Sequence, residues 1–382
     1  MVELVLRSLL QQLIDSAAIF HLPFGMATRH NKSLYVDENC ELLVLARDDN
    51  TEPQEPDELL IETLYSGVNP ADVKHGTILG IRSTVMGYDF CGKVLSASLS
   101  RKFAKGDVVM GLTPSGIGRP LRFGTHQTYL SCPEDMLRKV PSNLPESHAA
   151  ALTVVGMTAA DALYNLFKFP LPDSPNPQAF SGPLLIWGAS SGVGVCTIQL
   201  ARASGCQHIF VTASPARHEL LRKLGATHCF DYASSTVVSE IGAAVEKLGQ
   251  GPILHAFDAV GTGSNPSSAD LMAGCVTDST AIFISSIFRT DQRFLMPFAI
   301  VKDDWHIHLT GSPTPMTIPG RPADYERAWG ALQWAVDHYG TRFTLPSVEV
   351  LSGSAGEALQ VLVKAANSEL GFGKFVIQHP MN

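Results

Sequence analysis

At 382 residues the chain is longer than one hydrophobic core usually organises, so two domains are expected. It is 45% hydrophobic and 17% charged, as a large-cored globular chain is, and a net charge of −8 without a basic block argues against nucleic acid or an anionic membrane as partner. Seven scattered cysteines (Cys40, Cys91, Cys132, Cys196, Cys206, Cys229, Cys275) with no Cys-x-x-Cys point to reduced thiols and a cytoplasmic location, not to a disulfide framework.

The first residues hold the apolar run Leu4-Val5-Leu6-Arg7-Ser8-Leu9-Leu10, but Glu3 and Asp15 spoil a signal or transit peptide. Residues 1–25 are expected to be a loosely attached leader or a gene-model artefact, with the fold beginning at Met26. No apolar run reaches the ~20 residues of a membrane span. Short strands are expected at 41–45 and 58–65, followed by 85–94, which carries Gly87 and Gly92, and by Val108-Val109-Met110. This reads as an all-β module to about residue 140. Residues 148–167 are alanine-rich with helical spacing, and 169–177 is a proline-rich loop.

Strands and helices then alternate: strands at 184–187, 208–212, 253–258 and 281–285, helices at 193–204, 216–224, 234–247 and 326–338. That order predicts an α/β unit with a doubly wound parallel sheet. Residues 347–377 return to strand–helix–strand and are expected to rejoin the first module.

Between the first of these strands and its helix stands Gly188-Ala189-Ser190-Ser191-Gly192-Val193-Gly194. A glycine-rich turn running from strand to helix N-terminus offers free N–H groups and a helix dipole to a pyrophosphate, the fingerprint of a dinucleotide site. The alternative is an ordinary tight turn. The end of the second strand selects the dinucleotide, because a carboxylate there repels a 2′-phosphate. This chain has Ser214 and Arg217 instead, with no acid before Glu219, and Tyr232 follows the next strand. NADP(H) is expected over NAD(H), against the alternative that Arg217 is a solvated helix residue.

Several motifs in order resemble the medium-chain dehydrogenase/reductase superfamily. They are Gly67-Val68-Asn69-Pro70-Ala71-Asp72-Val73-Lys74, Met86-Gly87-Tyr88-Asp89-Phe90-Cys91-Gly92-Lys93-Val94, Phe103-Ala104-Lys105-Gly106-Asp107-Val108-Val109 and Gly156-Met157-Thr158-Ala159-Ala160. The nucleotide turn, Lys223-Leu224-Gly225-Ala226-Thr227 and Gly373-Lys374-Phe375-Val376-Ile377 complete the series. The resemblance implies a GroES-like β-rich catalytic domain (26–150 with 316–382) and a Rossmann NADP-binding domain (151–315), with the active site between them.

Zinc members of that superfamily carry Cys in the first motif and Gly-His-Glu in the second. Here stand Asn69-Pro70-Ala71 and Gly87-Tyr88-Asp89, and only Cys132 falls where a four-cysteine loop would lie, so no metal is expected. Without a Lewis acid, reduction of an activated C=C is the chemistry favoured. The 169–177 loop, and Gly311-Ser312-Pro313 running into Pro319-Gly320-Arg321-Pro322, are similar to fungal stand-alone enoyl reductases that work in trans with polyketide synthases.

By this resemblance Asn69, Lys74 and Thr158 border nicotinamide and substrate, and Val260 and Lys374 join the nucleotide turn, Ser214, Arg217 and Tyr232 in holding the cofactor. Lys74 is the candidate to stabilise an enolate or deliver its proton, the alternative being a surface lysine beside His75. Thr158 is either a nicotinamide contact or a helix-interior threonine. Tyr88 and Asp89 are read as structural or pocket-lining. The function expected is NADPH-dependent reduction of an enoyl group, free or tethered to a carrier protein, with a polyketide synthase as partner and a monomeric or homodimeric state. Two other readings stay open: a quinone or alkenal reductase on free small molecules, and an NADPH-binding protein without turnover.

Overall fold

The computed structural model describes residues 29–49, 53, 55–97, 100–175, 182–300 and 302–382. The expected leader, the Met26 boundary and the end of the 169–177 loop lie outside these residues. The first module opens with β1 (Arg29–Val36), β2 (Leu42–Asp49) and β3 (Glu58–Gly67), then helix α1 (Ala71–Leu79). There follow β4 (Thr84–Val85), β5 (Asp89–Ser96), β6 (Val108–Leu112), β7 (Tyr129–Pro133) and β8 (Leu137–Lys139).

Helix α2 (Glu146–Ala160) continues into a π-helical turn, Asp161–Leu166. Together they are long and apolar enough to cross a bilayer by length and composition. Their apolarity has another cause, because α2 is buried along both faces at the junction of the modules. One continuous core runs from Phe90 and Met110 through Leu152 and Leu163 to Ile186, Val211 and Trp329. The carboxylate of Asp161, fully buried, accepts from the Phe298 N–H at 2.9 Å and from Arg321 Nη2 at 2.8 Å, which fixes the π-turn against two later segments.

The second module has β9 (Leu184–Trp187), α3 (Gly192–Ala203), β10 (Ile209–Ala213), α4 (His218–Leu224), β11 (His228–Asp231) and α5 (Val237–Leu248). It continues with β12 (His255–Asp258), α6 (Ser268–Gly274), β13 (Ile282–Ser285) and the short β14 (Phe294–Leu295). The sheet order is β11-β10-β9-β12-β13-β14 with every pairing parallel. That is the doubly wound order, and β9 and β10 are buried throughout because helices cover both faces. The predicted helix at 216–224 begins instead as a 3-10 turn, Pro215–Arg217, before α4.

A hairpin of β15 (Trp305–Ile307) and β16 (Met316–Ile318) follows, then helix α7 (Pro322–Asp337), which starts earlier than expected because Pro322 suits the first turn. The hairpin is stitched to the first module by backbone bonds: Ile117 N–H to His306 O at 2.9 Å, His308 N–H to Leu79 O at 2.8 Å and Thr310 N–H to Ile78 O at 2.9 Å. Finally β17 (Val348–Leu351), α8 (Ala355–Ala366) and β18 (Lys374–Gln378) return the chain to the first module. β18 pairs antiparallel with β3 in a sheet ordered β17-β18-β3-β5-β6-β8.

Candidate active site

The glycine-rich turn leaves β9 at the carboxyl edge of the parallel sheet, where such sheets bind ligands. Gly188 sits at φ +73°, and a Cβ there would collide with Cγ2 of Val260, whose side chain lies across it. At Gly192 a Cβ would come within 3.0 Å of both Val155 Cγ1 on α2 and Lys374 Cδ on β18, so the turn is pressed against the first module. Ser191 is the N-cap: its Oγ accepts from Gly194 N–H at 3.0 Å and donates to Ala259 O at 3.1 Å. Ala189 is buried and its N–H donates to Thr212 O, while Ser190 and Val193 stay half-buried. The first-turn N–H groups of Gly192 and Val193 precede any helical acceptor, which makes this end of α3 ready for an anion.

Ala213 and Asp231 are partners across β10 and β11, so Ser214 and Tyr232 leave adjacent strand ends side by side. Arg217 N–H donates to Ser214 O at 2.9 Å, which keeps the two residues in one tight turn. Among the described residues the Ser214 hydroxyl, the Arg217 guanidinium and the Tyr232 phenol make no hydrogen bond or ion pair. Glu219, the first acid after the strand end, is paired with Lys223 at 2.8 Å. Three donors without partners among the described residues suit a phosphate, and the nearby Asp231 carboxylate is turned to the Ala233 N–H at 3.0 Å. The turn and this trio fit a phosphorylated dinucleotide.

The opposite wall is built from groups that hold one another. Asn69 donates Nδ2–H to Asp89 Oδ1 at 2.8 Å, accepts Lys374 Nζ at 2.7 Å, and donates its backbone N–H to Asp72 Oδ2 at 2.7 Å. Lys374 also donates to Val68 O at 2.6 Å, and Asp89 Oδ2 accepts Val154 N–H at 3.1 Å. Burial pushes the Asp89 carboxyl up and the Lys374 ammonium down, each opposed by the other's charge. From Asp72 the chain of bonds continues through His126 at 3.1 Å to Ser66 at 2.8 Å and His379 at 2.8 Å. Burial, with His126 nearby, holds His379 down at about 3.

This network changes the picture for two residues expected at the cofactor. Both polar ends of Asn69 and the ammonium of Lys374 are bonded to protein groups, and the stem of Lys374 lies against the nucleotide turn at Gly192. Lys74 differs. It lies half-buried on α1, and its ammonium has no partner among the described residues. Thr158 stands on α2 one turn beyond Val154, to whose carbonyl its hydroxyl donates at 2.8 Å, leaving oxygen lone pairs as its remaining capacity.

Tyr88 was read as structural or pocket-lining, but its partners His75 and Arg119 carried no signal in the sequence. His75 Nδ1 and the Tyr88 hydroxyl lie 2.9 Å apart, and the Arg119 guanidinium stands 4.8 Å from the Tyr88 ring centre while donating to Gly87 O, Thr113 and Phe123 O. Burial holds His75 down at about 4 and pushes Tyr88 up to about 12, so both are neutral at pH 7.

Residues 55–142 match the family described as alcohol dehydrogenase GroES-like domain, and 192–329 the family described as zinc-binding dehydrogenase. The donor set does not fit zinc: Asn69 and Asp89 are spent on each other, Tyr88 is a neutral phenol, and the Cys91 thiol is pushed up by burial. Among the described residues no three His, Cys, Asp or Glu side chains gather as a metal site.

The chain is 34% identical to the trans-enoyl reductase TOXD of Cochliobolus carbonum, over 69% of this chain and 88% of that one. It is 30% identical to the trans-enoyl reductase himH of Aspergillus japonicus, over 58% of this chain and 64% of that one. The crystal structure of CurK enoyl reductase shares the fold, with a TM-score of 0.66 at 19% identity over 92% of this chain and 99% of that one.

Proposed function

Since the chain belongs to the medium-chain dehydrogenase/reductase family, alongside the trans-enoyl reductases, we propose that it is an NADPH-dependent enoyl reductase. Its substrate would be an α,β-unsaturated acyl thioester carried by a polyketide synthase. The observation that carries the reading is the pairing of an anion-ready nucleotide wall with a first module in which, among the described residues, no metal-donor cluster gathers and the Lys74 ammonium has no partner.

Gly192 and Val193 N–H groups would take the pyrophosphate, and Ser214, Arg217 and Tyr232 the 2′-phosphate. Thr158 oxygen can accept from a carboxamide or ribose hydroxyl, and Val260 flanks the turn at the end of β12. The reduced nicotinamide, when bound, supplies a hydride to the β-carbon of the thioester. The C=C electron pair then moves onto the carbonyl oxygen, and the α-carbon must gain a proton. Lys74 donates to that oxygen or delivers that proton through its N–H groups.

The test gives the purified chain NADPH and an enoyl-pantetheine or enoyl-carrier-protein thioester. The expected outcome is loss of NADPH with stoichiometric saturated thioester. One equivalent of NADPH bound but never consumed across enoyl thioesters would defeat the proposal.

A further inference from the structure

Arg217 does not stand alone at its strand end. Its guanidinium carbon lies 4.3 Å from the ring centre of Phe372, a residue of the segment that leads into β18 of the first module. A guanidinium lying on an aromatic face keeps its N–H edges free, and this one has no carboxylate or other partner among the described residues. The backbone next to the ring is held. Gly373 adopts φ +118° with a Cβ position only 2.7 Å from Ser347 Oγ, and Lys374 N–H donates to Ser347 O at 2.9 Å. Two residues on, the stem of Lys374 rests against Gly192. The same short segment thus touches both places where phosphate would bind.

We propose that Phe372 is a specificity-determining residue for the cofactor: the first module presents its ring as a platform that orients Arg217 toward a 2′-phosphate held by the second. The inference rests on the NADPH reading above. It differs in placing part of the selectivity outside the nucleotide-binding module.

Dissociation constants for NADPH and NADH, by titration calorimetry on the full chain, test it without any substrate. The unmodified chain should prefer NADPH at least about tenfold, the preference expected of a phosphate held by a charged fork. Phe372→Ala should bring that preference to within about threefold while leaving NADH affinity unchanged, which also shows the variant is folded. Phe372→Tyr should keep the preference, and Phe372→Ala added to Arg217→Ala should cost nothing further. Full preference in Phe372→Ala overturns the proposal, as does full preference in Phe372→Leu, since a ring face would then be unnecessary. Equal weakening of both nucleotides also overturns it, because the segment would then serve the turn and not the phosphate. Equal affinities in the unmodified chain would overturn the NADPH reading itself, and the inference with it.

Discussion

On the nucleotide side of the junction the polar groups of Ser214, Arg217 and Tyr232 lack partners among the described residues, whereas opposite them Asn69, Asp72, Asp89, His126 and Lys374 are bonded to one another at 2.7–3.1 Å. The difference separates two uses of polarity. Groups left open beside a backbone-lined turn are available to a ligand, while groups closed on each other shape and stiffen a wall. Lys74 is the exception on the closed side, and the largest expected effect falls there. Lys74→Met should lower enoyl reduction by roughly 10²–10⁴-fold with NADPH affinity held within about twofold. Near-normal turnover, read by single-turnover kinetics, would return Lys74 to the surface.

Breaking the closed wall should show as instability. Lys374→Met keeps the stem at Gly192 but removes the positive charge facing Asp89, and should cost about 3–5 kcal/mol in urea unfolding. NADPH affinity of the folded variant should stay within about threefold; a larger loss would mean that the ammonium serves the cofactor after all.

Acid sensitivity should be shared by both modules, since burial also holds His255 on β12 down at about 4, but two strongly depressed histidines belong to the first. His75 and His379 are held neutral, at about 4 and about 3, against 6.5 for an ordinary histidine. Below pH 6.5 the unfolded chain takes up protons that the folded chain refuses, so stability falls as pH drops from about 6.5 toward 4. His379→Gln should make that slope shallower by about 1.4 kcal/mol per pH unit, measured by denaturation at stepped pH. An unchanged slope would mean His379 protonates freely in the folded chain.

The smallest effect is on the open side: Arg217→Ala should remove most of a tenfold preference for NADPH, about 1.4 kcal/mol. Retention of the preference would leave Ser214 and Tyr232 as sufficient.

The open wall could be read from sequence because its parts are contiguous. Strand β9 appears at the predicted 184–187, and β10 runs Ile209–Ala213 against a predicted 208–212. The glycines, Ser214 and Arg217 follow within one βαβ unit, where local pattern dictates structure. The closed wall could not be read this way. Ser66 and His379 are 313 positions apart, and Lys374 and Asn69 are 305 apart, so only the folded sheet brings them together. Asn69 and Lys374 were expected at the cofactor because motif position says nothing about which way an ammonium turns. Phe372 carried no signal at all, since an aromatic between two glycines is equally a loop. The helical spacing through 167 likewise hid the π-turn, whose Asp161 is bonded to Phe298 and Arg321, both far along the chain.

The three backbone bonds that sew the β15–β16 hairpin to Ile117, Ile78 and Leu79 constrain how the two modules can move. Any swing of one against the other has to keep this seam or rupture it. If that swing limits the rate, turnover will respond to solvent viscosity, and loosening the seam will change the release step before it changes the chemistry.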